Sequence, residues 1–263
     1  LRLLIVGDVL GRPGRRALRA LLPEIVAREG IEFVVANCEN AASVVGITPK
    51  LVTEILSWGV DVITMGNHVW AQKAIYETAD QEPRFLRPAN YPPGTPGMGA
   101  QVLRSRGGVS VGVLSLCGRI FMEPMDCPFR TADAELERLK READVTVVDF
   151  HAEATSEKAA LGRYLDGRVA VVAGTHTHVQ TADEQILPGG TAYITDCGMT
   201  GPVDSVIGIQ PDLVIHRFVT RMPVRFEPAR GPAALCGIIV DADEATDSAR
   251  SIVRVRELYE GPP

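Results

Sequence analysis

Five short apolar runs in this chain each end in residues able to hold a metal ion. Leu3–Val6 leads to Asp8, Phe33–Ala36 to Glu39 and Asn40, and Val60–Met65 to Asn67 and His68. Val145–Phe150 leads to His151, and Val169–Ala173 leads through Gly174 to His176 and His178. Runs of this length, bounded by turn residues, predict buried strands. In open α/β sheets, ligands bind beyond the carboxyl ends of strands. Four of the five histidines lie just past these runs. Histidines buried only for packing would not be expected to cluster this way.

Helical periodicity fills the intervals. Leu18, Leu21, Leu22, Ile25 and Val26 predict a helix that Pro23 should kink or divide. Pro49 opens a second helix, packing through Leu51, Val52, Ile55 and Leu56. Further helices are expected over Gln72–Ala79, Ala132–Ala143 and Ser156–Leu165. Glu82–Gly99, with five prolines and three glycines, reads as a surface loop, and Cys117–Arg130 as irregular. Ala100–Ser105 and Val109–Leu116, joined by Arg106-Gly107-Gly108, read as a hairpin. Late β-runs are Thr191–Thr195, Ala234–Val240 and Ser251–Leu258.

The opening βαβαβ rhythm calls for a parallel core with right-handed crossovers. The later hairpins call for antiparallel strands as well. A β-sandwich flanked by helices satisfies both halves, with a plain doubly wound sheet as the alternative. No repeat or clear linker interrupts the chain, which reads as a single domain over 1–263.

The formal charge of −6 gives no electrostatic footprint for long nucleic acids. It leaves room for a small phosphorylated substrate, because bound cations supply local positive charge. No apolar run approaches the roughly 20 residues needed to cross a bilayer. The first residues read as a strand and not as a signal peptide. Five scattered cysteines without C-x-x-C point to a reducing cytoplasm.

Taken singly, each strand-end residue has an ordinary role available. Asp8 suits a cap or turn, Glu39 a surface charge, Asn67 a left-handed turn and His151 a hydrogen-bonded core position. Taken together, two carboxylates, one or two amides and three or four imidazoles are too many for one tetrahedral zinc. They suit two ions of intermediate hardness, manganese or iron, with zinc also compatible. Other chemistries lack their motifs: there is no P-loop, no H-E-x-x-H and no G-x-S-x-G, and Ser115 reads as a strand residue. Arg12, Arg15 and Arg16 read as a solvated helix face, with contact to a phosphate as the alternative, and His216 as structural, with lining the site as the alternative. The glycine-rich Met199–Ile209 stretch suits a substrate loop, a structural loop or a subunit contact.

In this order, Asp8, Glu39-Asn40, Gly66-Asn67-His68, His151 and Gly174-Thr175-His176-Thr177-His178 resemble the calcineurin-like metallophosphoesterases. Three departures stand out. Asp8-Val9-Leu10 lacks the usual histidine of the first motif, Glu39 replaces the usual bridging aspartate, and Val69 follows Gly-Asn-His where an acid is common. These features, with Asn37-Cys38-Glu39-Asn40 and Thr195-Asp196-Cys197-Gly198-Met199-Thr200-Gly201-Pro202, look like the YmdB-type branch of bacterial phosphodiesterases.

The resemblance implies a four-layer α/β/β/α sandwich of two mixed sheets, a dinuclear centre and a small phosphodiester substrate, notably a 2′,3′-cyclic nucleotide. By motif position, Asp8 and His178 hold one metal, with Asn40 in place of the missing histidine. Asn67, His151 and His176 hold the other, and Glu39 bridges. The expected reaction is in-line attack on phosphorus by a metal-bridging hydroxide, with His68 as an acid or an electrostatic group. A nucleotidase or other phosphomonoesterase with the same centre, and a regulator that binds metal and nucleotide without turnover, are the rival readings. Family likeness also suggests a homo-oligomer.

Overall fold

Side chains alternate along each central strand, and both faces are buried. In the computed structural model, which describes residues 1–261, β1 (Arg2–Val6) sends Leu3 and Ile5 to one apolar cluster and Leu4 and Val6 to another. Phe33 and Val35 are divided from Val34 and Ala36 in the same way. Strands covered on both sides need near-continuous apolar sequence, which is why these runs stand out.

The first sheet has eight strands. After β1 come β2 (Asp8–Val9), β3 (Phe33–Asn37), β4 (Val62–Thr64) and β5 (Phe85–Leu86). The parallel run β1-β3-β4-β5 is the βαβαβ core expected from the sequence. Its helices are α1 (Gly11–Glu29), α2 (Pro49–Ser57) and α3 (Ile75–Gln81).

The second sheet comprises β6 (Ala100–Arg104), β7 (Ser110–Cys117), β8 (Val145–His151), β9 (Val171–Thr175), β10 (Gln185–Ile186) and β11 (Ala192–Ile194). β7, β8, β9 and β11 are parallel, and β6 and β10 are antiparallel edges. Its helices are α4 (Pro128–Glu142) and α5 (Thr155–Leu165). The chain then returns to the first sheet through β12 (Met199–Pro202), helix α6 (Pro211–Thr220) and the hairpin β13 (Ala233–Asp243)–β14 (Ser248–Tyr259). β13 pairs antiparallel with β1, β12 and β14.

Three apolar clusters define the layers. One joins Leu18, Leu22 and Ile25 of α1 and Val52 and Ile55 of α2 to the outer face of the first sheet. A second lies between the sheets, where Phe33, Val35 and Ile238 meet Val113, Val147 and Val171. The third packs Leu136 and Leu139 of α4 and Leu161 of α5 on the second sheet. The order is therefore α/β/β/α, and the doubly wound alternative is not what forms. Truncating a residue such as Phe33, fully buried between the sheets, costs about 3–5 kcal/mol.

Several local expectations are corrected. Pro23 does not divide α1, which is continuous over 19 residues. Pro23 and Arg19 are both exposed, so the carbonyl that loses its i→i+4 partner faces water. The proline-rich 82–99 stretch is not all surface: Phe85 and Leu86 are fully buried as edge strand β5. The third helix starts at Ile75, and α4 begins earlier than periodicity suggested, with Pro128 in its first turn. Asp8–Val9 and Met199–Thr200, read as turn and loop, pair in parallel as strands. Helix α6 was not anticipated. No helix among the described residues is long and apolar enough to cross a membrane.

Candidate metal centre

Each candidate ligand lies at or just past the carboxyl end of its strand: Asp8 after β1, Glu39 and Asn40 after β3, Asn67 after β4, His151 ending β8, and His176 and His178 after β9. The two sheets therefore meet at one end of the sandwich. Glu39, His151 and His176 form the tightest group, each offering one ligand atom within 4.8 Å of the others. His151 Nε2 is 3.1 Å from Glu39 Oε1 and 2.9 Å from His176 Nδ1. Asp8 and His178 form an adjacent pair, with Oδ1 and Nε2 3.9 Å apart. The main-chain N–H of His176 donates to Asp8 Oδ2 at 3.0 Å, linking the two groups. His68 stands over Glu39: its backbone N–H donates to Oε2 at 3.1 Å, and its Nδ1 is 3.0 Å from Oε1.

The turn that aims His176 and His178 is strained and braced. Both occupy left-handed backbone, with φ of 100° and 66°, a conformation that costs non-glycine residues about 1–3 kcal/mol each. Between them, the Thr177 N–H and hydroxyl both donate to Asp196 Oδ2, at 2.9 and 2.7 Å. The same oxygen accepts from the buried Lys158 ammonium at 2.8 Å. Gly174 permits the approach of the next strand, since a Cβ there would lie 1.8 Å from the Thr195 carbonyl oxygen. Gly66 is equally constrained: its Cβ would fall 2.2 Å from His151 Cδ2 and 2.3 Å from Glu39 Oε2.

Every imidazole of the group has its outer nitrogen engaged. Thr175 gives its one hydroxyl proton to Asp149 Oδ1 at 2.8 Å, so it accepts from His151 Nδ1–H at 2.9 Å. His176 Nε2 is 3.1 Å from Glu153 Oε2, and His178 Nδ1 donates to the Ile207 carbonyl at 2.9 Å. The remaining nitrogens turn inward: His151 Nε2 to Glu39, His178 Nε2 to Asp8, and His176 Nδ1 to His151 Nε2. Outer-nitrogen hydrogen bonds of this kind fix tautomer and ring orientation at metal-ligating histidines.

Two further observations test whether these residues fit metal ions. Asp8 Oδ1, Asn40 Oδ1 and Asn67 Oδ1 are buried without any hydrogen-bond partner, although such orphaned atoms cost about 1–3 kcal/mol each. All three belong to residues picked from the sequence as ligands, and a cation would satisfy them. The ionisations agree. Burial pushes the Asp8 carboxyl up to about 6, against the pull of His151 and His178. Burial alone would lower His151, but Glu39 and then Asp8 push it up to about 9. Burial likewise works against the Glu39 carboxylate, yet His151 and His68 hold it well below the usual range. Burial, with His151 alongside, pushes His176 down to about 3. Without a cation, His151 Nε2 needs a proton to face Glu39. A metal ion replaces that proton.

Several surrounding residues escaped sequence reasoning. Asp149 is buried inside the β8 run and also accepts from Asn37 Nδ2 at 3.0 Å and from the Thr64 hydroxyl. A carboxylate within an apolar strand was the available signal. Asp196 stood in the Thr195–Pro202 motif without a role attached to it, and Lys158 and Glu153 gave no signal. The 199–209 stretch enters the site through one backbone atom, the Ile207 carbonyl. His216 lies exposed on α6, and Ser115 is buried with its hydroxyl donating to the Met65 carbonyl. Arg15 is not merely solvated, because its guanidinium donates to the carbonyls of Ala41 and Ala42 beside Asn40.

A two-sheet α/β sandwich with carboxylate, amide and imidazole groups gathered at its strand ends is the metallophosphoesterase-like arrangement. The profile of the YmdB-like protein family matches residues 4–255. A 2′,3′-cyclic-nucleotide 2′-phosphodiesterase of Bacillus subtilis is 46% identical over 255 residues, covering 97% of this chain and 96% of that protein. Among solved structures, a hypothetical protein from Thermus thermophilus matches with a TM-score of 0.91 at 42% identity over the whole of both chains. A structure described as a novel phosphatase of Mycoplasma pneumoniae matches with a TM-score of 0.92 at 33% identity, over all of this chain and 95% of that one. The chain belongs to the YmdB-like family.

Proposed function

We propose that this protein is a phosphodiesterase that uses two metal ions, iron or manganese, to hydrolyse 2′,3′-cyclic nucleotides. The observation that carries the reading is the set of three imidazoles, each held from outside and turned into one cluster with buried Glu39 and Asp8. The activity named for the Bacillus relative supports the substrate class. Glu39, Asn67, His151 and His176 are assigned to one ion, and Asp8, Asn40 and His178 to the other, with Glu39 shared. When bound, the ions supply Lewis acidity, lowering the pKa of water and offsetting charge on phosphoryl oxygens.

The chain itself contributes positioning and charge balance. Asn40 and Asn67 are neutral donors, so the site carries less negative charge toward a phosphate than an all-carboxylate site would. His68 keeps Nδ1 on Glu39, which leaves Nε2 for the substrate. As an imidazolium it donates from Nε2, either holding a phosphoryl oxygen or delivering that proton to the leaving oxygen. Opening the cyclic diester needs one such proton at the ribose oxygen that departs. The cysteine pattern supports work in a reducing cytoplasm.

Turnover of 2′,3′-cyclic AMP, 3′,5′-cyclic AMP and a phosphomonoester by the manganese- or iron-loaded protein tests the reading. The 2′,3′-cyclic substrate is expected to be fastest. A faster monoester would make the protein a phosphomonoesterase, and tight binding without turnover would make it a regulator. In the same assay, His68→Ala should lose the alkaline limb of the pH–rate profile if His68 is the acid.

A further inference from the structure

A cavity of about 620 Å3 opens beside the N-terminus of α1 and includes none of the residues assigned to the metal centre. Four arginines line it, Arg12 and Arg16 from α1 and Arg225 and Arg230 from the segment after α6. Glu227 is the single carboxylate on its wall, and it accepts from Gln210 Nε2 at 3.4 Å. Among the described residues, no carboxylate oxygen lies within 4.0 Å of Arg12, Arg225 or Arg230, all of which are exposed.

This grouping opposes two electrostatic preferences. The chain as a whole carries −6, so composition does not explain a cluster of cations. The first turn of α1 contains no acidic residue and has no side-chain cap, yet the positive end of a helix favours anions. The guanidinium groups of Arg12, Arg225 and Arg230 repel one another, and that of Arg12 the helix dipole, unless an anion joins them. Local conflicts of this kind concentrate at functional sites.

The rest of the wall says which anion. Guanidinium forks match phosphate oxygens in pairs. Phe226 lines the same cavity as a half-buried ring, and Arg217 Cζ lies over one face of it, 5.2 Å from the ring centroid. Aromatic faces stack nucleobases, and the volume falls within the range of small-ligand sites. We infer that this cavity is a second nucleotide site, distinct from the metal centre, that takes a nucleoside monophosphate with its phosphate on Arg12, Arg225 and Arg230 and its base against Phe226.

The site is built on backbone that also serves the metal centre. The Gln210 N–H donates to the Glu227 carbonyl at 3.1 Å and the Ala229 N–H to Gly208 at 2.9 Å, next to the Ile207 carbonyl that holds His178. The Gly11 N–H donates to the Asn40 carbonyl at 2.9 Å. The arginine side chains themselves have no assigned role in hydrolysis, so the two functions separate by mutation.

Calorimetric titration of the metal-loaded protein with AMP, inorganic phosphate and adenosine tests the assignment. Wild type is expected to show a class of AMP site that is lost, or weakened at least tenfold, in the Arg12→Glu/Arg230→Glu variant. That variant should still hydrolyse a chromogenic phosphodiester at the wild-type rate, which shows that it is folded. Phe226→Ala should weaken AMP without weakening inorganic phosphate. Superimposable AMP isotherms for wild type and the charge-reversed variant would overturn the proposal. So would inorganic phosphate binding at these arginines as tightly as AMP.

Discussion

Thr175 Oγ1 lies 2.9 Å from His151 Nδ1, and its only proton is already given to Asp149. The hydroxyl must therefore receive the imidazole proton, which leaves Nε2 unprotonated when a metal is bound. Thr175→Val keeps the shape but removes the acceptor. Metal affinity is expected to fall about 10- to 100-fold, with Thr175→Ser restoring most of it. Chelator-competition titration measures both. Equal affinity in the valine variant would show that the hydroxyl does not orient His151.

Asp196 and Lys158 brace the turn between His176 and His178. Asp196→Ala leaves a buried ammonium with no counter-charge, so urea unfolding should register a loss of about 3–5 kcal/mol. The strained backbone at both histidines loses its tether in the same variant, and metal content should fall with stability. Asp196→Ala with Lys158→Met should recover stability but not metal. Recovery of both would place the pair outside the site's support.

Gly66 sits against the side chains that face the centre. Gly66→Ala drives a methyl group toward Glu39 Oε2 and His151 Nε2, each 2.3 Å from the position its Cβ would take. Metal content should drop to less than half of wild type while far-ultraviolet circular dichroism stays the same. Full metal occupancy in this variant would mean that Glu39 and His151 are free to shift, contrary to their buried packing.

At the opposite end of β8, Asp247 Oδ1 accepts from the N–H groups of Thr146 at 2.7 Å and Ala170 at 3.1 Å. Burial pushes this carboxyl up to about 6, against about 3.9 in an unfolded chain. The folded state therefore holds the proton more tightly, and the associated stability is present below pH 4 and lost as pH rises through 6. Asp247→Asn keeps the accepting oxygen without the charge. Its stability relative to wild type should rise by roughly 1–3 kcal/mol between pH 4 and pH 7. Parallel pH curves for the two proteins would contradict the assignment.

The strand ends were legible because β1, β3, β4, β8 and β9 are covered on both faces and so carry near-continuous apolar runs. Asp8, Glu39, Asn67 and His151 follow those runs directly. What the runs hid was lateral. Asp149 looks like an interruption in one strand, and its partners Asn37, Thr64 and Thr175 come from three others. No local pattern carries such a contact. Helix α6 was obscured because Leu213-Val214-Ile215 suits a strand as well as a helix, although Pro211 in its first turn was a usable start signal. The edge strand Phe85–Leu86 is too short for periodicity to detect, and Glu82–Gly99 reads as a loop around it. The arginines of α1 were legible as charges, but their convergence with Arg225 and Arg230 depends on a chain return of more than 200 residues.

The most direct test is metal content and 2′,3′-cyclic AMP turnover measured on one preparation, before and after chelation and after reloading with manganese or iron. The account predicts two ions per chain, loss of turnover on chelation and its return on reloading. It also predicts a one-ion His178→Ala variant, with Asp8 and Asn40 unable to retain the adjacent ion alone. Turnover that persists in metal-free protein, or fully loaded protein that leaves the cyclic diester intact, would contradict it.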